Sequence, residues 1–126
     1  MADQTKVLIV EDDKFLSELI STKLDKEGFN IALAGDGETG LKKAEEFKPE
    51  IILLDIMLPG MDDFEVLEKL KAHAYASIKK IPVIILSNFG QESKVERGLQ
   101  LGAVDYLVKA NFTTGEIVAK IKEILK

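Results

Sequence analysis

Apolar residues along the chain fall alternately into short unbroken runs and into spaced sets recurring every three or four positions, and the alternation repeats five times. The runs predict strands at about Lys6–Val10, Phe29–Ala34, Glu50–Asp55, Ile81–Ser87 and Val104–Lys109. The spaced sets predict helices. Phe15, Leu16, Leu19, Ile20 and Leu24 form the first, ending at Gly28, a residue suited to a left-handed cap. The second covers about Gly37–Phe47 and is stopped by Pro49. The third carries Phe64, Leu67 and Leu70, with Asp62 or Asp63 placed to cap it, and the fourth carries Val95 and Leu99 and ends near Gly102. The fifth starts at Thr113 or Thr114 and carries Ile117, Ile121, Ile124 and Leu125. Strand-then-helix five times over implies right-handed crossovers and a parallel sheet covered on both faces, an α/β fold. No repeat, linker or low-complexity segment interrupts it, so residues 1–126 read as one domain.

Composition narrows the class. A chain of 126 residues with 46% hydrophobic and 31% charged residues is an ordinary globule that buries roughly two-thirds of its unfolded surface. A net charge of −5 argues against direct nucleic-acid binding, which rests on basic residues. With no cysteine there is no disulfide and no thiolate metal site. No apolar stretch is long enough to span a bilayer, and the first strand begins too soon for a signal peptide, so the expected location is the cytoplasm, without a membrane association.

The chemistry gathers at three strand ends. Ile51-Ile52-Leu53-Leu54 closes on Asp55, Val7-Leu8-Ile9-Val10 runs into Glu11-Asp12-Asp13, and Tyr106-Leu107-Val108 runs into Lys109. Open parallel sheets keep reactive groups at this carboxyl edge. Two carboxylates 4 Å apart repel by roughly 4 kcal/mol at an effective dielectric near 20, so Glu11, Asp12 and Asp55 together call for a cation. An oxygen-only set open to water suits Mg²⁺. With Lys109 as a second positive charge, the set is what phosphoryl transfer to Asp55 requires, and Ser87 offers a hydroxyl on the remaining side.

At this point the chain resembles the receiver domains of two-component response regulators. Val10-Glu11-Asp12-Asp13, Leu53-Leu54-Asp55-Ile56-Met57-Leu58-Pro59-Gly60-Met61-Asp62, Ile81-Pro82-Val83-Ile84-Ile85-Leu86-Ser87 and Gly102-Ala103-Val104-Asp105-Tyr106-Leu107-Val108-Lys109 all match that family's motifs, and the likeness runs the whole length. The resemblance implies a flavodoxin-like (βα)5 domain with strand order 2-1-3-4-5. It also implies a regulator rather than an enzyme. Asp55 would accept a phosphoryl group from a histidine kinase or histidine phosphotransfer protein. Asp12, Asp55 and the Met57 carbonyl would ligate Mg²⁺, with Glu11 acting through water. Lys109 and Ser87 would hold the phosphoryl group, and Tyr106 would swing inward. The fourth helix, fifth strand and fifth helix would form the output surface toward an unidentified protein, the chain being a monomer that could dimerise on phosphorylation.

Several positions depart from the family pattern. Ala110 replaces the usual proline after the lysine. A cis bond to alanine costs roughly 3–4 kcal/mol, so a trans Lys109–Ala110 bond is expected. Asn88 follows the switch serine, where small residues predominate, and is expected to tune phosphoryl lifetime. Asp63 stands for a glycine and suits a helix first turn. Gly98, inside the fourth helix, should loosen it by roughly 0.5–1 kcal/mol. His73, the single histidine, reads as solvated surface.

Other classes fit less well. An aspartyl phosphatase of the haloacid-dehalogenase type would want an aspartate where Met57 stands. A nucleotide or flavin module would want a glycine-rich loop where Glu11-Asp12-Asp13 stands. A pseudo-receiver that binds partners without phosphorylation is the main alternative.

Overall fold

The computed structural model describes residues 5–56, 64–88, 90–109 and 113–125. Five parallel strands, β1 (Lys6–Val10), β2 (Asn30–Ala34), β3 (Ile51–Asp55), β4 (Val83–Ser87) and β5 (Asp105–Val108), pair in the order β2-β1-β3-β4-β5. Among the described residues six helices connect and cover them: α1 (Lys14–Lys26), α2 (Gly37–Phe47), α3 (Glu65–Lys71), a single turn α4 (Ala76–Lys79), α5 (Glu92–Gln100) and α6 (Thr114–Ile124). The expected α/β fold and strand order are those observed. The short α4 was not legible from periodicity, since one turn buries a single apolar residue, Ile78. Ile81 and Pro82 fall outside β4, and proline has no N–H for a ladder; its carbonyl accepts from Ile52 instead.

Alternation sorts the sheet into two cores. Leu8, Val10, Ile52, Leu54, Val83 and Ile85 face α2, α3 and α4, meeting Ala44, Val66, Leu67, Leu70 and Ile78. Val7, Ile9, Ile51, Leu53, Ile84, Leu86 and Leu107 face α1 and α6, meeting Ile20, Leu24, Ile117, Val118 and Ile121. Complete burial of such side chains contributes about 1.5–3 kcal/mol each. The α1 stripe is narrower than its apolar residues suggested: Ile20 and Leu24 are buried, but Phe15 is 76% exposed and Leu19 50%.

The helix ends follow their capping residues. Asp13 accepts from the Leu16 N–H at the start of α1, and Gly28 (φ +93°) turns the chain after it. Lys48 takes a left-handed conformation (φ 52°) before Pro49 to end α2. Thr113 and Glu116 exchange reciprocal hydrogen bonds, a capping box that begins α6.

One expectation gains a packing reason and another needs correction. Gly98 is buried, and a Cβ there would lie 2.1 Å from Cδ1 of Ile85, so the glycine serves close approach of α5 to β4. His73 is not solvated surface: its side chain is 16% exposed and its Nε2 lies 2.8 Å from Oε2 of Glu45. The chain folds back over α2 there, and its Nδ1 accepts from the Tyr75 N–H. The Asp62 or Asp63 cap, Asp63 in a first turn and the Lys109–Ala110 bond lie outside the described residues.

Candidate functional site

Register places the acidic groups side by side. Val10 pairs with Leu54, so Glu11 and Asp55 are the next residues along adjacent strands. By alternation Glu11 shares the face of Ile9, Asp55 that of Leu53 and Lys109 that of Leu107, all on the α1–α6 side. Their side chains therefore converge. Lys109 Nζ lies 2.9 Å from Oδ2 of Asp55, to which it donates a hydrogen bond, and 2.8 Å from Oε1 of Glu11. The Glu11 contact is an ion pair not aligned as a hydrogen bond. Glu11 Oε2 accepts from the Asp13 N–H, which fixes its other oxygen toward the pocket.

Glu11 and Asp55 are each 2% exposed, whereas Asp12 opens to solvent. Glu11, Asp12 and Asp55 each present an oxygen within 4.8 Å of the others, the one such group of metal-ligating side chains among the described residues. Three carboxylates against one ammonium leave negative charge uncompensated. Glu11 registers this: burial foremost, then the neighbouring charge of Asp55, push its carboxyl up to about 7, against the opposing pull of Lys109 and the Asp13 amide. For Lys109, burial alone would lower the pKa, but its contacts with Glu11 and Asp55 outweigh it and the net shift is upward. The donor set is all oxygen, anionic and open to water on the Asp12 side, which fits a hard divalent cation. The Met57 carbonyl lies outside the described residues.

Ser87 and Tyr106 stand on the opposite face, with Ile85 and α5. Ser87 is 1% exposed, and its hydroxyl makes a long contact, 3.4 Å, to the Leu107 carbonyl. Tyr106 is turned outward, 42% exposed, on the rim of a cavity of about 360 Å³ that Ser87, Val95, Leu99 and Val108 also line. Asn88 is exposed, and its backbone N–H donates to Oε1 of Gln91 at 2.6 Å. Sequence reasoning singled out neither Gln91 nor the capping role of Asp13. An aspartate just ahead of an amphipathic stretch signals the latter, while nothing in the local pattern signals the former.

Fold and site together define a parallel α/β domain with a carboxylate, an ammonium and an acidic cation cradle at one sheet edge. The response regulator receiver domain matches residues 7–122, and the chain belongs to that family. It is 37% identical over 121 residues to the alkaline phosphatase synthesis transcriptional regulatory protein PhoP of Bacillus subtilis (strain 168), covering 96% of this chain and 48% of that protein. The chain thus spans about half the length of the curated relatives it matches. Among solved structures it is similar to the chemotaxis response regulator CheY4 of Vibrio cholerae, with TM-score 0.87, 25% identity, and 97% of this chain and 99% of that one covered. It is also similar to the receiver domain of the sensor histidine kinase PA1611 of Pseudomonas aeruginosa PAO1, a structure with a magnesium ion coordinated in the active site cleft. There the TM-score is 0.84 and the identity 26%, over 96% of this chain and 97% of that one.

Proposed function

We propose that residues 1–126 act as one phosphoryl-accepting switch, with Asp55 as acceptor. The observation that carries this reading is the Lys109 ammonium 2.9 Å from a buried Asp55 oxygen, beside two further carboxylates. In the step proposed, an Asp55 oxygen attacks phosphorus as the P–N bond of a phosphohistidine breaks. The imidazole leaves with the bonding electrons, and an acyl phosphate forms. Lys109 balances the charge that moves onto the peripheral oxygens, and the Ser87 hydroxyl turns from its long contact with Leu107 to donate to one of them. Asp12 and Asp55, with the Met57 carbonyl, would hold Mg²⁺ directly and Glu11 through water. That ion would supply charge neutralisation at the transferring group.

Loss of the Ser87–Leu107 contact opens room for Tyr106 to move into the cavity beside it, altering the surface of α5, β5 and α6 that meets an output partner. The phosphodonor would be a histidine kinase or histidine phosphotransfer protein, which places the chain in the cytoplasm. Among the described residues no helix is long and apolar enough to cross a membrane. Incubation with Mg²⁺ and acetyl phosphate, read by intact mass, should add one labile phosphate that Asp55→Asn abolishes. A chain that stays unmodified while its partner-binding persists would favour the pseudo-receiver reading instead.

A further inference from the structure

Gln91 stands at the N-cap of α5, yet its side chain caps nothing there: no side-chain acceptor meets the first-turn amides of that helix among the described residues. Ser, Thr, Asp and Asn are the side chains of the right length for that task, and glutamine is too long. Instead Gln91 reaches back three residues, and Oε1 accepts from the Asn88 N–H at 2.6 Å. Gly90, directly before Gln91, takes the left-handed conformation that glycine favours, at φ +81°.

The amide that Gln91 holds is the first backbone donor beyond the end of β4. That strand end lies between the acceptor and its ammonium: Asp55 pairs with Leu86, Ser87 pairs with Val108, and the Lys109 N–H donates to the Ser87 carbonyl at 2.7 Å. Two neutral donors therefore border this edge from β4, and both are engaged. The Ser87 hydroxyl is held loosely, at 3.4 Å, whereas the Asn88 N–H is held by a short bond.

We infer that Gln91 is a latch on the phosphoryl-binding edge: its side-chain carbonyl occupies the Asn88 N–H, and an anion attached to Asp55 must draw that donor away. Gln91 is thus a positioning residue, acting through Asn88, and the inference rests on Asp55 being the phosphoryl acceptor. A charge-assisted hydrogen bond to a phosphoryl oxygen is roughly twice as strong as a neutral amide bond, so the exchange runs toward the anion but is weakened by the bond given up. Release of Gln91 also removes a tie between β4 and the start of α5, whose residues Val95 and Leu99 wall the same cavity as Tyr106. The latch would then join the anion to the helix.

Beryllium fluoride, a phosphoryl mimic, provides the test at saturating Mg²⁺. Gln91→Ala should lower the half-saturating concentration by about three- to tenfold, the scale of one intramolecular hydrogen bond. Gln91→Glu, whose carboxylate is a charged and therefore stronger acceptor for the Asn88 N–H, should raise it above the wild-type value instead. Independently, the Asn88 amide proton should resonate downfield and exchange slowly in the wild type and in Gln91→Glu, and lose both properties in Gln91→Ala. A folded Gln91→Ala protein that binds beryllium fluoride no more tightly than wild type overturns the latch and leaves Asp55 as acceptor. Failure of the wild type itself to bind the mimic removes the phosphoryl reading and the latch with it.

Discussion

Ile85 occupies the space that a side chain at position 98 would need. Cδ1 of the isoleucine lies 2.1 Å from where a Cβ would stand on Gly98, and Ile85 is fully buried on the strand that ends in Ser87. The glycine therefore fixes how closely α5 approaches β4, two residues from the hydroxyl at the site.

Two effects oppose one another in Gly98→Ala. Helix propensity favours alanine by about 0.5–1 kcal/mol. Overpacking against a buried isoleucine costs typically about 1–3 kcal/mol. Packing wins at the middle of those ranges, and urea unfolding should show net destabilisation of about 1 kcal/mol, within the roughly 0–2.5 kcal/mol that their difference spans. Adding Ile85→Val, which removes Cδ1, should recover part of the loss. A more stable Gly98→Ala protein would contradict the close approach.

Glu11 sets a pH dependence. Its carboxyl is raised from 4.5 to about 7, so between those values the folded chain holds a proton that the unfolded chain has released. Stability of the metal-free protein then falls as pH rises through that window and levels off above it. Mg²⁺ favours the ionised carboxylate, so its apparent affinity should weaken as pH drops below about 7. Unfolding with a chelator from pH 5 to 8, compared with Glu11→Gln, checks both: the slope should flatten in the variant. An equal slope in the two proteins would assign it elsewhere.

When neutral, the His73 imidazole should carry its proton on Nε2. The Tyr75 N–H can only donate, so Nδ1 must accept, and Nε2 is left to donate to Glu45 at 2.8 Å. Nitrogen NMR of the neutral ring should report the Nε2–H tautomer. A predominant Nδ1–H tautomer would be incompatible with the geometry.

Strands and helices were legible because their signals are local. An unbroken run such as Ile51–Leu54 needs both faces covered, and Gly28, Pro49 and Thr113 end or begin helices through their own backbone chemistry. The acidic constellation was legible for a related reason: each member ends an apolar run, and parallel strands bring their carboxyl ends to one edge. Composition could not say which apolar residues of α1 would be covered, because exposure of Phe15 and Leu19 depends on how far the helix overhangs the sheet.

The chain's order of residues alone determined the five-strand parallel scaffold and the strand ends at which Glu11, Asp12, Asp55, Ser87 and Lys109 stand. Tertiary structure alone decided which face each side chain takes, putting Lys109 between Glu11 and Asp55 and leaving Ser87 and Tyr106 across the sheet with α5. It also decided the contacts of Gly98 with Ile85 and His73 with Glu45. Periodicity is a property of neighbours along the backbone, whereas these contacts join residues that only strand register and helix packing bring together.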